Sequence, residues 1–533
     1  MAAAPGVSYP DVFQIKTRTK KALERVLNRE NGVDKIFKLD RTDKNKSLVG
    51  CNRRMYLVRP KVNLIKIIAD QISNEQLRGE NRRYRIIMVP RKLFLCETLL
   101  EQEGVFGLCE LDELDLDLLP LDADIMSMEA PDFFKSYYMD NDLTGLHTVS
   151  RGLLSIERIF GEIPNIYCLG RAGKMCYELL RRLSGGEKLI TPDYPRSEIG
   201  HMFLIDREVD LVTPLCTQVT YEGLLDDMFG IHCACVEFGS EVTSKQQPVK
   251  VMLTSQDQKR KDMKSVQDMK EFVANDLRQL NQQKANLSYH IGACEQIIGQ
   301  KNKGDFQEYI QTEHSLLEGS SMRENVNYIE ESINKQDSKL SCLKLLCLLS
   351  LTLDGIPSKE YKSLKTQFVQ SYGFEHMITF HNLKKVGLLR EQEVPAGSKI
   401  PTVDVDLRSP CDMSYVFSGA YTPLSCKLVE QVLQREGFLG LEEITRHLPG
   451  GVHDDIKLRT PGKGKRSGGK AMSNQPGRAA KVVLVYFIGG CTYSEIAALR
   501  FLGKQTGYQF IIATTSLYNG SSLLETVMEK SQV

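Results

Sequence analysis

The sequence predicts an α/β protein with parallel sheets that is interrupted by an inserted, mainly helical domain. Three observations support this prediction. Short β-type runs alternate with helical runs over about 55–190, helical patterning continues almost unbroken over 260–390, and β-α alternation returns after residue 480. Because parallel strands are joined by helices that cover the sheet, such alternation is typical of α/β domains.

The first α/β stretch contains three strand-like runs and two helical runs. The strand-like runs are short and apolar: "RYRIIMVP" (83–90), "NIYCLG" (165–170) and "HMFLID" (201–206). The helical runs have apolar residues at helical spacing: "KLFLCETLLEQEG" (92–104) and "KMCYELLRRL" (174–183). Each helical run therefore follows a strand, as expected for β-α units.

The middle region is predicted to be helical. Apolar residues recur there at three- and four-residue spacing, beginning with Met263, Val266, Met269, Phe272 and Val273. A later helix is predicted over 422–437, with Thr422 as the N-cap, Pro423 at the first helical position and Gly437 near the end.

The C-terminal region returns to the β-α pattern. "KVVLVYFIGG" (481–490) is typical of a strand buried on both faces, and "YQFIIATT" (508–515) predicts another strand. Between them, "TYSE" (492–495) has the spacing of a capping box, with Thr492 as the cap and Glu495 reaching back. These strands are expected to complete a sheet that begins before residue 260.

Four segments follow from this pattern. We predict an N-terminal α/β domain over 1–140, the first part of a second α/β domain over 141–258, an inserted helical domain over 259–479, and the second part of the split domain over 480–533. The basic, glycine-rich stretch 457–481 contains no acidic residue and little to bury. A solvated loop is the favoured interpretation, and contact with acidic lipid head groups is the alternative.

Composition excludes several classes of protein. The 533 residues are 41% apolar and 26% charged, with a net charge of +1, so no overall field attracts nucleic acid or anionic lipid. The opening "MAAAPGVSYPDVF" lacks a secretory signal, so the 14 cysteines are expected to stay reduced inside the cell. The most apolar helical stretch, "LKLLCLLSLTL" (343–353), is shorter than the roughly 20 residues of a membrane span.

Three motifs suggest a cofactor, and each departs from the pattern that its chemistry requires. "LGRAGKM" (169–175) follows a strand, but its glycines are too close for a phosphate loop and Met175 replaces the hydroxyl residue. "FIGGCTYSE" (487–495) does not match the dinucleotide fingerprint. "HCAC" (232–235) lacks a second ligand pair, and we interpret its cysteines as reduced core thiols. The sequence therefore predicts no cofactor and no metal.

The run "FLIDREVDLVTPL" (203–215) holds the charged residues that most need an explanation. Asp206, Arg207 and Asp210 follow a strand at the edge where α/β proteins usually bind ligands. However, neighbouring strand residues point to opposite faces, and no nearby histidine, lysine or cysteine completes a catalytic set. A structural role is favoured, in which turn amides donate to Asp206 and Arg207 pairs with Asp210 or Glu222; catalysis is the alternative.

Two long motifs resemble signatures of the Sec/Munc (SM) family. "LIDREVDLVTPLCTQVTYEGLLDD" (204–227) is similar to the first signature and "FIGGCTYSEIAALRFL" (487–502) to the second. The corresponding residues are Asp206, Arg207, Asp210, Thr213, Pro214, Tyr221, Glu222, Gly489, Gly490, Thr492 and Glu495. Cys216-Thr217 departs from many members, which carry a histidine-containing segment there.

Further stretches narrow the resemblance to the class C vacuolar protein sorting branch, nearer its B form than its A form. They are "GRAGKMCYELLRRL" (170–183), "SLKTQFVQSYGFEHMITFHNLKKVGLL" (363–389) and "AYTPLSCKLVEQVL" (420–433). Relative to this branch, the chain is expected to be short at its opening and near 255–262 and 391–410.

The resemblance implies an arch of three domains and no catalysis. It implies a protein that holds SNARE helices and pairs with an α-solenoid class C partner resembling subunit sixteen (VIPAR), with Rab proteins as further partners. The protein is then expected to be cytoplasmic and peripheral, through its partners, on late endosomes, lysosomes or recycling endosomes. Two alternatives stay open: an α/β enzyme or nucleotide switch that uses the strand ends near Asp206 and Asp210, and a scaffold without SNARE contact.

The resemblance also directs attention to the helical region 262–318 as the SNARE-facing surface, because a SNARE motif is an amphipathic helix. The residues proposed to face it are Phe272, Leu277, Leu280, Tyr289, Ile291, Phe306 and Tyr309. The alternative is that they form the internal seams of a helical hairpin, since periodicity does not distinguish a core from a groove.

Overall fold

The computed structural model describes residues 10–28, 39, 52–80, 82–185, 197–243, 245–253, 277–392, 412–457 and 480–528. The chain divides into two compact units, one comprising Asp11–Pro120 and the other comprising Leu121–Val533 with Met1–Pro10. The four-segment division made from the sequence stays a prediction.

The smaller unit contains a parallel sheet. Its strands are β1 (Arg53–Val58), β2 (Arg83–Met88) and β3 (Cys109–Glu113), in the order β1-β2-β3, and a short strand, β4, spans Leu119–Pro120. Its helices are α1 (Phe13–Asn28), α2 (Val62–Leu77) and α3 (Phe94–Gln102). Cys96, Leu99 and Leu100 of α3 pack in the same core as β2, which gives the β-α unit predicted over 83–104.

The main sheet of the larger unit is parallel except at one edge. In spatial order it contains β13 (Val452–Ile456), β6 (Asn165–Leu169), β7 (His201–Asp206), β14 (Val482–Ile488), β15 (Gln509–Thr514) and β5 (Ile125–Ser127), with β13 antiparallel to β6. The register pairs Asp206 with Ile488, so β7 and β14, which precede and follow the helical insertion, are neighbours in the sheet. Between them in the chain, β13 joins the sheet at its edge beside β6. The predicted insertion within a sheet is confirmed.

Helices pack around this sheet and form the insertion. Those that precede the insertion in the chain are α4 (Thr144–Phe160), α5 (Gly170–Ser184), α6 (Tyr221–Phe229) and α7 (Ser240–Thr243). The inserted helices are α8 (Leu277–Lys301), α9 (Gly304–Leu317), α10 (Met322–Asn334), α11 (Lys339–Thr352), α12 (Ser358–Tyr372) and α13 (His376–Lys385). The later ones are α14 (Leu424–Arg435), α15 (Glu442–Thr445), α16 (Tyr493–Thr506) and α17 (Gly520–Val527).

Short strands complete the larger unit. They are β8 (Ile231–His232), β9 (Cys235–Phe238), β10 (Val249–Met252), β11 (Ile356–Pro357) and β12 (Glu391–Gln392). The stripe predicted to begin at Met263 and most of the basic stretch 457–481 lie outside the described residues. In the part of the chain that is described, no helix is long and apolar enough to cross a bilayer.

Two local predictions were wrong in detail. The helix predicted to begin at Pro423 begins at Leu424, because Pro423 has an extended ψ of 116° and is itself the N-cap, so Thr422 does not cap it. The "HCAC" run is a hairpin turn rather than one strand, since Cys233 and Ala234 have φ values of 51° and 58° between β8 and β9. Cys233 is consequently exposed and is not a core thiol.

His201, the first residue of β7, makes stability depend on pH. Its ring is buried and stacks against Tyr167 at 6.1 Å between centroids, and burial lowers its pKa from 6.5 to about 4. Below about pH 6.5 the unfolded chain takes up a proton that the folded chain refuses, so this contribution to stability is lost progressively towards pH 4. At pH 5.5 the expected loss is ~1.4 kcal/mol.

Urea unfolding at pH 7.5 and 5.5 tests this expectation. His201→Phe keeps an aromatic ring but removes the titrating group, so its stability should fall less than that of the wild type between the two pH values. Other groups titrate in both proteins and cancel in the comparison. An equal fall in both would contradict the role of His201.

Candidate functional site

Asp206 ends β7 as a fully buried carboxylate that is surrounded by donors. The Tyr138 hydroxyl donates to it at 2.6 Å, the Ala172 amide at 2.6 Å and the Glu208 amide at 3.1 Å. Burial raises the pKa of this carboxyl, while the three donors and the neighbouring Arg207 oppose the rise. These contacts hold the C-terminal end of β7 against the N-terminal end of α5.

This arrangement bears on the phosphate-loop motif at the start of α5. The first amides of a helix attract anions, and here the Ala172 amide is already engaged by the Asp206 carboxylate. Gly170 has a φ of 83°, and a Cβ atom at this position would overlap the Asp206 side chain. The glycine therefore allows a close packing contact, and the anion that the helix terminus holds belongs to the protein itself.

Arg207, the residue after Asp206, is also fully buried. Its guanidinium bonds to Glu495 through two nitrogens, each at 2.9 Å, and donates to the backbone oxygens of Asp210 at 2.6 Å and Gly490 at 3.3 Å. Burial alone would lower its pKa, but Glu495 and then Asp210 raise it above its ordinary value. The ion pair joins the exit from β7 to the start of α16.

Glu222, one of the two partners predicted for Arg207, pairs with Arg500 instead. Glu222 accepts from Arg500 at 3.0 Å, and the same guanidinium bonds to Asp124 at 2.7 Å and Asp122 at 3.1 Å. Glu222 lies in the first turn of α6, whereas Arg500 projects from α16. The second ion cluster therefore ties these two helices together.

Asp210 organises the turn that contains Thr213 and Pro214. Its carboxylate accepts from the Thr213 amide at 3.0 Å and hydroxyl at 2.6 Å, and from the Ser425 amide at 3.3 Å. Pro214 occupies the following short 3-10 turn and is buried. Asp210 thus serves two elements, because Ser425 lies in the first turn of α14.

Glu495 closes the network. It forms the predicted capping box with Thr492, whose amide donates to it at 3.0 Å, and it also accepts from the Ser425 hydroxyl at 2.8 Å. Gly489 and Gly490 precede it with φ values of 103° and 113°, which favour glycine. We call the set Asp206, Arg207, Asp210 and Glu495 the ionic corner.

The ionic corner is closed to solvent. Asp206 and Glu495 have no exposed surface, and 2% of Asp210 is exposed, so a substrate would reach them only if the corner opened. A cavity of 630 Å³ lies beside it, lined by Val209, Leu424, Glu443, Ile444, Arg446, His447, Leu448 and Pro449. None of the four corner residues lines this cavity. The geometry therefore favours an architectural role over a catalytic one.

The residues proposed to face a SNARE helix are divided by the structure. Ile291 is exposed, whereas Tyr289 is buried and accepts from Lys245 at 2.7 Å. Phe306 is half-buried, and Tyr309 has its ring 5.9 Å from the Lys344 ammonium. Leu277 and Leu280 lie in α8, but their side chains are outside the description, as is all of Phe272.

Several functional contacts were missed by sequence reasoning. Tyr138 and Ser425 complete the ionic corner, and no local pattern connects them with residues 206–210. Leu287 and Ile298 share the exposed side of α8 with Ile291, and their spacing of four and seven residues could have indicated this. Tyr221, a signature residue, contacts α8 through a hydrogen bond of 2.7 Å between its hydroxyl and His290 Nδ1.

Comparison with known proteins identifies the family. Residues 22–258 and 238–526 match the Sec1 family model. The chain belongs to the Sec1 family. This is the Sec/Munc family indicated by the two signatures, and the predicted resemblance is confirmed.

Curated relatives refine this assignment. The chain is 41% identical to Vacuolar protein sorting-associated protein 33B of Danio rerio, over 95% of this chain and 92% of that protein. It is 39% identical to the 33B protein of Homo sapiens, over 97% and 94%. Identity to the 33A protein of Rattus norvegicus is 33%, over 95% and 91%. These similarities associate the chain with vesicle-mediated protein transport and favour the predicted B form over the A form.

Solved structures show the fold. The Unc18–syntaxin 1 complex from Monosiga brevicollis matches with a TM-score of 0.57 at 14% identity, covering 98% of this chain and 99% of that one. Vps45 in complex with the Qa SNARE Tlg2 matches with a TM-score of 0.54 at 14% identity, covering 97% of each chain. The SM-type α/β fold with a helical insertion is confirmed.

Proposed function

We propose that this chain is a non-enzymatic SM-type protein that binds SNARE helices and a class C α-solenoid partner resembling subunit sixteen (VIPAR). Through them it would promote vesicle docking and fusion while peripherally attached to late endosomes, lysosomes or recycling endosomes. Similarity to the 33B proteins supports this proposal. So do the complexes named for two proteins of the same fold, one with syntaxin 1 and one with Tlg2.

The observation that carries the SNARE part is an exposed apolar face on α8. Leu287, Ile291 and Ile298 are 62%, 53% and 56% exposed, and we call them the outer stripe. Large apolar side chains that are exposed along one helix face are typical of interaction surfaces. The outer stripe is therefore the surface that we assign to the SNARE helix.

The opposite face of α8 explains why the outer stripe is not needed for packing. Tyr289, Ala293 and Ile297 recur every four residues and are buried. A Cβ atom at Gly292 would lie 3.0 Å from the Val242 carbonyl oxygen, so α8 approaches the segment after β9 closely. The helix is held by this inner face, which leaves the outer one available.

A helix is the partner shape that fits. Positions i, i+4 and i+11 extend along about three turns of α8 as a narrow seam, which matches the apolar seam of a second helix. Each isoleucine or leucine that becomes fully buried contributes roughly 1.5–3 kcal/mol. Three such residues would support specific binding without any large rearrangement.

Ile291→Asp is expected to weaken binding of a SNARE helical bundle about tenfold or more. The substitution removes an isoleucine that the bound helix would bury, and it places a carboxylate in the apolar seam. Binding of the purified full chain to the bundle can be measured by fluorescence anisotropy. Leu439→Asp is the matched control, because Leu439 is 84% exposed but lies far along the chain, and it should bind as the wild type does.

Binding of the α-solenoid partner can be measured in the same experiment with a second variant. Phe374, Met377 and Ile378 form another exposed apolar face at the start of α13, and we assign this face to the α-solenoid partner. Phe374→Asp should lower recovery of the solenoid partner and leave the SNARE interaction unchanged, whereas Ile291→Asp should do the reverse.

The outcomes separate the alternatives. Recovery of the partner by the wild type without any SNARE binding would favour a scaffold. Turnover of a nucleotide or ester that Asp206→Asn abolishes in a folded protein would favour an enzyme. Unchanged SNARE binding by Ile291→Asp would exclude the outer stripe as the surface.

A further inference from the structure

We infer that one edge of the smaller unit binds the surface of an anionic lipid bilayer directly. Phe94 and Leu95 would enter the apolar part of the interface, while Lys61 and Lys92 would contact the charged head groups. Such a contact is independent of SNARE helices and of the solenoid partner, and it therefore goes beyond the proposed function.

Two neighbouring strands of the smaller unit end in similar basic segments. "VRPKV" (58–62) begins at the last residue of β1, and "VPRKLFL" (89–95) begins just after β2. The strands are parallel, and a backbone hydrogen bond of 2.9 Å joins Val58 to Val89. Because parallel strands end at the same edge of a sheet, the two segments lie side by side at its carboxyl edge.

Apolar and basic side chains are exposed together on this edge. Phe94 and Leu95 are 83% and 61% exposed, and Lys61 and Lys92 are exposed as well. Leu93, in contrast, packs against the core of the unit and anchors the start of α3. Packing of α3 therefore does not explain why the next two residues are large and apolar. We call Lys61, Lys92, Phe94 and Leu95 the basic edge.

An anionic bilayer matches this combination of side chains. Apolar side chains are stabilised in the region between head groups and acyl chains, and lysines near an anionic surface are attracted to it. Phe94 projects from the protein and can enter a fluid interface, whereas a rigid protein partner would need a pocket of matching shape. The attraction acts over a Debye length of about 10 Å, so it depends on local charge rather than on the net charge of the chain.

An acidic residue also lies at the carboxyl edge of this sheet. Glu113 ends β3 and is exposed, and its carboxylate accepts from the Lys92 amide at 3.2 Å. It would face an anionic surface together with the Lys92 side chain and weaken the attraction. Glu113→Gln is therefore expected to strengthen binding to anionic lipid by up to about fivefold.

The opposite edge of the same sheet offers a matched comparison. α2 runs back along the sheet for 16 residues, roughly 24 Å, and ends at Leu77, which is 86% exposed. Arg78 and Arg83 are exposed near this end. Both edges therefore present cations and a large apolar side chain, but a flat bilayer touches only one of them at a time.

Sedimentation with sucrose-loaded vesicles tests the contact on the full chain. The vesicles contain phosphatidylcholine and phosphatidylserine at roughly three to one, or phosphatidylcholine alone. The wild type should bind the anionic vesicles about tenfold or more tightly, since each lysine near such a surface contributes about fivefold. Lys61→Gln/Lys92→Gln should remove most of this difference, and Phe94→Ser/Leu95→Ser should weaken binding about tenfold or more.

Variants of the opposite edge are the controls. Leu77→Ser and Arg78→Gln/Arg83→Gln remove the same kinds of side chain from the same unit, and they should bind the vesicles as the wild type does. Urea unfolding should give the same stability for all of these variants, because the replaced side chains are exposed. Equal losses of binding at the two edges would overturn the inference.

The chain contains no tryptophan, so insertion of one side chain can be observed directly. Phe94→Trp places a single indole at the basic edge. Its emission should shift to shorter wavelength with anionic vesicles and should be quenched by brominated acyl chains. Leu77→Trp should show neither change, and an unchanged Phe94→Trp spectrum would contradict insertion.

Three further outcomes would also overturn the inference. They are failure of the wild type to bind anionic vesicles, wild-type binding by both basic-edge double variants, and stronger competition by sodium phosphate than by sodium chloride at equal ionic strength. The last would indicate a site for a soluble anion rather than a charged surface. SNARE binding is measured separately with Ile291→Asp, so each of these outcomes leaves the proposed function standing.

Discussion

Replacing Arg207 with alanine is expected to lower the free energy of unfolding by about 3–5 kcal/mol, because it breaks a fully buried ion pair by removing one partner. Glu495 and the Asp210 backbone oxygen would lose donors at 2.9 and 2.6 Å within a region that is closed to solvent in the wild type. Urea unfolding of the purified chain at pH 7.5 measures the loss. Recovery of soluble protein should fall in parallel.

Arg500→Ala is the matched control. Arg500 also contacts several acids, yet about a quarter of its side chain is exposed, at 28%, so water can replace part of what is lost. We expect a cost of only about 1 kcal/mol for this substitution, as for partly exposed ion clusters. A second test is the double variant Arg207→Met/Glu495→Met, which removes both buried charges and should recover part of the stability lost in Arg207→Ala.

This experiment distinguishes a structural role of the ionic corner from a catalytic one. If Arg207→Ala stays as stable as the wild type but abolishes turnover of a substrate, the catalytic alternative gains support. If stability and partner recovery fall together, the corner acts as a joint between β7, α14 and α16.

Contacts of the ionic corner between residues that are close in the sequence could be predicted, whereas contacts between distant residues could not. The capping box of Thr492 and Glu495 was predictable, because its two residues are three apart and the pattern is set within one turn. The pair of Arg207 with Glu495 joins residues 288 apart, and a single sequence carries no signal for such a contact. Glu222 was therefore chosen as the nearer acid, although it serves Arg500 instead.

The same distinction applies to α8. Periodicity predicted a helix and gave both Tyr289 and Ile291 as candidates for the SNARE-facing side. These residues are two positions apart, so they point in roughly opposite directions on a helix. Only the packing of Ala293 and Ile297 decides which side is internal, and that depends on elements distant in the chain. Sequence could therefore predict the helix but not which of its faces is free.

Gly490→Ala is expected to lower the free energy of unfolding by about 2–5 kcal/mol, combining backbone strain with overpacking. Gly490 has a φ of 113°, and a Cβ atom there would overlap the Tyr518 ring, which is buried. The ring has little freedom to move, because it is buried and packs edge-on against the Phe134 ring, with 6.5 Å between the centroids. Thermal and urea unfolding measure the effect.

Gly507→Ala separates the two causes. Gly507 also has a positive φ, 72°, but a Cβ atom there would meet only the Lys481 ammonium, at 4.0 Å. The expected cost is about 1 kcal/mol, from the backbone alone. Equal losses in the two variants would contradict the packing explanation. A larger loss at Gly490 would mean that this glycine makes room for Tyr518, so the space that a phosphate would need beside this turn is already filled by a side chain of the protein.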